Sequence, residues 1–572
     1  MDNEPKNKKQ LVQWWKDEVK AAVRYRTIYG RAKDWSNYKN MYRGLWQPGV
    51  VPVNMIYAVG RSLIPQVYFR NPKVAISAKK PGYTAHAMIL ERIDEYIIKE
   101  MGIKNQLKSG VLDCYLMGRG PGILGYDSEF GFNPSFTADS EFADSGLTAF
   151  GKKGEKIEYT DEVKPGMPWF LRCSPEDFIV PWGTRRFEEA RWFGFRKMRT
   201  LRDIKESPLY SGKADLKGAF HTKLDGSLDG TSQSKTQHSE KDGENDWVEL
   251  WELHDKRTGQ VMALSLDHDK FLRFEDDEMQ IEGLPSRVLG FNEDTDYFWW
   301  TPDARLIKVQ QSEMNDIRTM AKKHRRVGLL KGLYDKNMLK HDEMAKFLDG
   351  DPKAFAAVDV GPSGDIRKSV AYIQSHIPPD LIAYAREVRE DVREIVGFSR
   401  NQMGSFEESS GRRTAHEAEI VRAASLIRID ERRDIMADHF ESVMRGINQI
   451  IFKNWSAERI VDLIGQDGAR YWVRFNGEEI KGEFNYGVNP EEALPQNQAT
   501  RREDAQQFMQ TAMQVPGIDM KYLLRQYSRQ FEWLDPRMLM PDEGAGRSPE
   551  KALMFSDFIG KVGQGMQGGF GG

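Results

Sequence analysis

The stretch PDARLIKVQQSEMNDIRTMAKKHRR, residues 302–326, decides how the chain is read. Proline in the first turn suits a helix start, because its missing N–H would have no intrahelical partner there, and Asp303 follows it. Leu306, Val309, Ile317 and Met320 form a thin apolar stripe among charged and polar residues. A second pattern, PPDLIAYAREVREDVREIVG (378–397), spaces Leu381, Ala385, Val388, Val392 and Ile395 by three and four. Its opposite face carries Arg386, Glu390, Arg393 and Glu394, and Gly397 is a natural stop. The aperiodic SRNQMGSFEESSGRR (399–413) separates it from TAHEAEIVRAASLIRIDERRDIMADHFESVMRGINQIIFKNW (414–455). That last segment reads as helix without a proline for about 40 residues, on the order of 60 Å. Stripes this narrow cannot enclose a monomeric core, so each must bury against a neighbour while its charged flank meets solvent or other charges. Two arrangements supply the neighbour. Identical subunits packed around an axis would use the helices as staves of a barrel; an extended helical hairpin on a globular enzyme is the other.

The order helix, small insert, helix, polar loop, long helix resembles the stem, clip, stem, tunnel loop and long wing helix of a tailed-bacteriophage portal protein. GRRTAHEAEIVR (411–422) is similar to the segment that opens the long helix in many portals. VPVNMIYAVGRSLIPQVYFRNPKV (51–74) and LDCYLMGRGPGILGYD (112–127) resemble two N-terminal segments of podophage-type portals. The resemblance covers roughly residues 10–510, in the expected order. It implies an α+β, mainly helical fold assembled as a ring around a channel. An N-terminal wing would take 1–301, with a polar insertion at about 210–246. A first stem helix (302–326), a clip (327–376), a second stem helix (377–398) and a tunnel loop (399–413) would follow. The long wing helix with returning strands would fill 414–490, and a crown with a glycine-rich tail 491–572.

The same resemblance implies a dodecameric ring of this chain at one capsid vertex, in the virion, passing double-stranded DNA without regard to sequence. Its expected partners are the large terminase subunit, tail adaptor proteins, and the major capsid and scaffolding proteins, with no membrane. Neither catalytic residue, metal nor cofactor is implied. As a tunnel loop, residues 399–413 would project into the bore and present Arg400, Asn401, Gln402, Met403, Phe406, Arg412 and Arg413 to DNA; otherwise they are a surface connection. Lys322, Lys323, Arg325 and Arg326, with His324 among them, end the first stem-like helix. They complement the helix dipole, and ring symmetry would multiply them into a positive band that touches phosphates only. In the clip, Lys331, Tyr334, Lys336, Lys340 and Phe347 would face terminase and adaptor.

Composition sets the outer bounds. A chain of 572 residues with 40% hydrophobic content can build three to four domain-sized units. Its net charge of −3 is neither that of a basic nucleic-acid coat nor that of an acidic tail protein, and it suits a surface DNA slides past. Two cysteines, Cys114 and Cys173, make neither a disulfide framework nor a zinc site. The charged start MDNEPKNKKQ lacks a signal-like apolar run, and no stretch approaches about 18 uninterrupted apolar residues. Synthesis in the host cytoplasm is the expectation.

Elsewhere the patterns are local. Trp14, Trp15, Tyr25, Trp35, Tyr38 and Tyr42 lie at helical spacing in 10–45 and read as core or interface residues rather than base-stacking platforms. Helices are expected at 50–70, 88–102 and 105–118, strands within 168–199, and a hairpin at 247–266. Gly120, Gly122 and Gly125 spell G-x-G-x-x-G, but a helix precedes them and an extended stretch follows. The phosphate-loop reading therefore fails, and a tight turn is expected. GPSGDIRKS lacks the Walker spacing, and HEAEI at His416 lacks a second histidine. Glu293, Asp294 and Asp296 precede a helix, where acidic groups are favoured; read as ligands, they keep open a phage-associated, metal-dependent nucleic-acid-processing enzyme.

Overall fold

Helices and strands together build the described chain. The computed structural model describes residues 7–68, 72–80, 83–126, 167–207, 209–218, 247–277, 279, 281–327, 331–334, 370–373, 380–397, 415–455, 459–464, 470–475, 481–482, 484–488 and 553–554. The first elements are α1 (Lys8–Tyr29), α2 (Ala32–Arg43), α3 (Met55–Val67), β1 (Ala75–Ala78), α4 (Thr84–Glu100), α5 (Ile103–Met117) and β2 (Gly120–Tyr126). Then come β3 (Pro168–Arg172), β4 (Phe178–Ile179), β5 (Trp192–Thr200), α6 (Leu201–Glu206), β6 (Trp247–Asp255), β7 (Gln260–Leu264), β8 (Arg273–Asp276) and β9 (Ser286–Leu289). The rest are α7 (Asp303–Leu306), α8 (Lys308–Val327), β10 (Lys331–Tyr334), β11 (Val370–Ile373), α9 (Asp380–Val396), α10 (Ala415–Asn454), β12 (Arg459–Ile464), β13 (Arg470–Phe475), β14 (Phe484–Gly487) and β15 (Leu553–Met554). This is a mixed α and β chain, not a clearly helical one.

The chain divides into two compact units. A sheet unit holds Met1–Ser36, Ser62–Asp303 and Arg413–Gly572, and a helical unit holds Asn37–Arg61 and Ala304–Arg412. In the sheet unit, β4-β5-β6-β7-β8 form an antiparallel sheet in sequence order. Alternation along β6 and β7 sends Trp251, Leu253, Met262 and Leu264 to one face, where Trp15, Val19 and Ala22 of α1 cover them. Val248, Leu250 and Ala263 point the other way and pack with Leu201 and Ile204 of α6. Both faces are therefore buried. The N-terminal aromatics Trp15, Tyr25 and Trp35 are core residues of this unit.

A second sheet, ordered β3-β2-β9, holds the three glycines of G-x-G-x-x-G. The expected tight turn is a correction: Gly120, Gly122 and Gly125 lie inside β2 itself. A Cβ at Gly122 would overlap the Phe170 ring, and one at Gly125 the Trp169 ring. Close approach of aromatic rings to the strand, not a turn, requires Gly122 and Gly125, and at Gly120 a Cβ would meet the Gly110 carbonyl of α5. The turn residue is Gly118, which ends α5 at φ +86° with its N–H donating to Cys114 O at 2.9 Å.

From Ile429 onward α10 belongs to this core. Met436, Phe440, Val443, Met444, Ile447 and Ile451 are fully buried. The expectation that all three long helices leave their apolar stripes to an external neighbour therefore fails over this part of α10, which finds its partners within the chain. Arg432 reinforces the packing with two hydrogen bonds to the Asp303 carboxylate, at 2.8 and 2.9 Å.

The helical unit is built on α8 and α9, with β10 and β11 paired antiparallel between them in sequence. Val388, Val392 and Val396 of α9, and Ile307, Met314 and Ile317 around α8, are its buried apolar residues. The stripe read from sequence on α8 is misplaced. Ile317 is buried, but Leu306, Val309 and Met320 are 45%, 69% and 43% exposed. A polar line explains the rotation. Gln311, Asn315 and Thr319, one turn apart, each bind the backbone of 51–56, which runs into the first turn of α3. Thr319 Oγ1 accepts from Val51 N and Asn315 Oδ1 from Val53 N, both at 3.0 Å. Gln311 Oε1 accepts from Met55 N at 2.7 Å and Ile56 N at 3.1 Å, filling the first orphan donors of α3, while its Nε2 donates to Val53 O at 2.8 Å.

Candidate functional site

The basic end of α8 is the one sequence-read site whose side chains are described together. Packing on α8 follows the line of Ile307, Gln311, Met314 and Ile317 and stops before the last turn. Beyond that point Lys323, Arg325 and Arg326 are exposed, and Lys322 and His324 are half-buried. Among the described residues no carboxylate forms an ion pair with Lys322, Lys323, Arg325 or Arg326. The acidic residues of the helix, Glu313 and Asp316, lie toward its start, and Glu313 accepts a hydrogen bond from the Tyr384 hydroxyl of α9. The helix is thus polarised along its axis in the sense its dipole favours, and no described carboxylate compensates its positive end. Such a cluster of cationic side chains favours anions, phosphate among them, through charge.

The other sites are only partly within reach. Lys331 and Tyr334 open and close β10, in register with Ile373 and Val370 of β11. Lys336, Lys340 and Phe347 lie outside the described residues, as do Arg400, Asn401, Gln402, Met403, Phe406, Arg412 and Arg413. Of the expected polar insertion 210–246, residues 219–246 lie outside them too, but 210–218 correct it in part: Tyr210 and Leu216 are buried in the core beside α6. Of the loop carboxylates, Asp294 is engaged locally: its Oδ1 accepts from the backbone N–H of Asp296 at 3.0 Å and of Tyr297 at 3.3 Å. Among the described residues no group of three or more His, Cys, Asp or Glu is placed to hold a metal ion. No described helix is long and apolar enough to cross a membrane. Both cysteines are buried and unbridged, and burial pushes both thiols up, so neither is a ready nucleophile.

Two arrangements in this protein were not read from the sequence. One is the polar line Gln311–Asn315–Thr319, whose four-residue spacing was visible but whose residues do not count as apolar. The other is a buried ionic cluster on β6. His254 lies between Glu252 and Asp277, at 3.4 Å and 3.5 Å, and Lys197 Nζ sits 2.9 Å from the far oxygen of Glu252. A cavity of about 460 Å³ opens beside it, lined by His254, Asp255, Thr258, Asp276, Asp277 and Leu284 among others. The signal was present in WELHD, since Glu252 and His254 two apart must share a face of the strand.

Buried guanidinium groups elsewhere serve packing. Arg119 lies 3.4 Å from the centroid of the Trp300 ring and donates from Nε to Phe298 O at 2.6 Å; its burial lowers its pKa to about 9. No protein-family model matches the chain, and no curated protein matches it.

Proposed function

We propose that this chain is a portal-type protein. Twelve copies would form a ring at one capsid vertex, giving double-stranded DNA its channel for packaging and ejection. The ring would also be the platform on which a large terminase subunit and a tail adaptor dock, with capsid and scaffolding proteins around it. The order of helices, insert and loop resembles that family, and one observation carries the reading furthest. The α8–α9 pair satisfies itself on one side only, leaving Leu306, Val309, Met320 and Tyr384 uncovered beside a basic helix end. A row of exposed apolar side chains on a charged helix calls for a partner surface. Repeating the same helix pair around an axis supplies that surface and brings the basic ends to one level.

Negative-stain imaging with native mass measurement of the purified full-length chain tests the reading. A ring with an open bore supports it, and a single copy or a small closed oligomer ends it. Within a ring, Arg325→Glu with Arg326→Glu is expected to impair DNA packaging while leaving assembly intact. Divalent-metal-dependent DNA cleavage by the purified protein would replace this reading with an enzymatic one.

A further inference from the structure

We infer that His254 is a protonation-dependent latch that fastens the edge strand β8 to the interior of the five-stranded sheet. The strand needs such a fastening. β8 has one neighbour, β7, over four register positions from Ala263↔Arg273 to Gln260↔Asp276. Its side chains contribute little burial: Phe274, Glu275 and Asp276 are exposed and Arg273 is half-buried. Leu272, fully buried, anchors its start. At its far end the backbone N–H of Asp277 donates to Gly259 O at 2.6 Å, and the Asp277 side chain reaches across β7 to His254 on β6. The tie therefore skips a strand and joins the edge to the middle of the sheet.

The chemistry around the ring makes that tie depend on a proton. Phe193 of β5, in register with His254, stacks on the imidazole at 5.0 Å and 8°, and Phe195 stacks at 6.1 Å. The charged groups facing it are Glu252 from β6, Asp277 beyond β8, Lys197 from β5 and Arg273 from β8, whose own near partner is Glu275 at 3.3 Å. Burial opposes a charge on the ring, yet the two carboxylates outweigh it and raise the pKa of His254, while Asp277 is held below its ordinary value. His439 shows the contrasting case: also buried but facing Arg287, it is lowered to about 3 and stays neutral.

Loss of the imidazolium charge does not fall equally on the two acids. Glu252 keeps Lys197 at 2.9 Å. Asp277 keeps the backbone N–H of Met279 at 2.9 Å, but among the described residues His254 is the cation within ion-pair distance of it. Deprotonation therefore releases the edge-strand end of the tie. Because the folded state raises the imidazole's pKa, the latch is closed below about pH 6.5, the unperturbed value, and opens as pH rises through the folded value. An edge strand held by so few buried contacts then frays.

Hydrogen exchange of the full-length protein, followed by mass spectrometry on peptides covering β8 across about pH 5.5 to 9 and corrected for intrinsic rates, tests this. Protection of β8 is expected to fall with rising pH, by about tenfold for each unit by which folding raises the pKa of the imidazole. His254→Gln should give low, pH-independent protection, and Asp277→Asn the same. Asp277→Asn carries the test if the first variant fails to fold. Asp276→Asn, which changes the neighbouring exposed carboxylate, should keep the wild-type profile. Flat protection in the wild type, a wild-type profile in His254→Gln or Asp277→Asn, or loss of the profile in Asp276→Asn would each overturn the latch.

Discussion

The five-stranded sheet and the α8–α9 pair solve the same problem in opposite ways. The sheet is buried on both faces by residues of its own chain, α1 on one side and α6 on the other. The helix pair buries one line only, and part of that line is polar: Gln311, Asn315 and Thr319 hold the 51–56 backbone where apolar side chains would ordinarily pack. A structure of the first kind is stable by itself. One of the second kind keeps apolar surface available, as Val309 at 69% exposure illustrates. Self-contained packing and exposed apolar surface are therefore divided between different parts of one chain, and substitutions separate them.

The largest contrast comes from paired truncations. Phe440→Ala removes a fully buried ring from the α10 core and is expected to cost about 3–5 kcal/mol in chemical denaturation. Val309→Ser should change stability by no more than about 0.5 kcal/mol, because the side chain already lies in water. If the helix pair is an assembly surface, Val309→Asp reverses the ranking: sedimentation should show weakened assembly while circular dichroism stays unchanged. A Val309 variant as unstable as the Phe440 one would erase the distinction between the two regions.

Next in size is the polar line. Gln311→Ala strips the acceptor from Met55 N and Ile56 N, both buried, and the donor from the part-buried Val53 O. A loss of about 2 kcal/mol is expected, with faster exchange at the amides of 55 and 56. Gln311→Glu keeps the acceptor but sets a buried carboxylate oxygen against Val53 O and Asn315 Oδ1, so at neutral pH it should cost at least as much. An apolar replacement that stabilises the unit would mean that the amide contributes nothing a packed side chain could not.

What was legible in the sequence follows the same division. Regular helices, the β6–β7 hairpin and the stop at Gly397 were readable because local propensity and burial agree there. The buried face of α8 was not, since a helix that buries glutamine, asparagine and threonine hides its core from apolar counting. The role of Gly122 and Gly125 depends on Phe170 and Trp169, which arrive from a strand more than forty residues later. Returning strands were expected within 414–490, but β12 was not singled out among them; its sequence RIVDLI pairs with β13. In the candidate site, the basic run at 322–326 was plain from composition. The His254 latch was not, because Asp277 and Lys197 meet the ring only through sheet register.

The effect expected to vanish under one condition concerns a buried acid in the self-sufficient unit. Asp94 of α4 is fully buried and accepts from Asn448 Nδ2 of α10 at 3.0 Å, and Asn448 Nδ2 also donates to the Tyr486 hydroxyl of β14 at 3.3 Å. Burial, aided by Glu91, raises the Asp94 pKa well above its ordinary value, against the smaller opposing effect of the Asn448 hydrogen bond. A carboxyl that stays protonated longer in the folded state stabilises it fully below the unfolded pKa, near 4, and less as pH rises through the folded value. Asp94→Asn, neutral throughout and able to donate to the unpaired Oδ1 of Asn448, should match the wild type near pH 4. At pH 8 it should exceed it, by about 1.4 kcal/mol for each unit of the shift. Urea denaturation at the two pH values measures this directly. A variant destabilised equally at both would show that Asp94 holds α4 to α10 as a carboxylate, and that even the closed core of this chain keeps a charge by design of its packing.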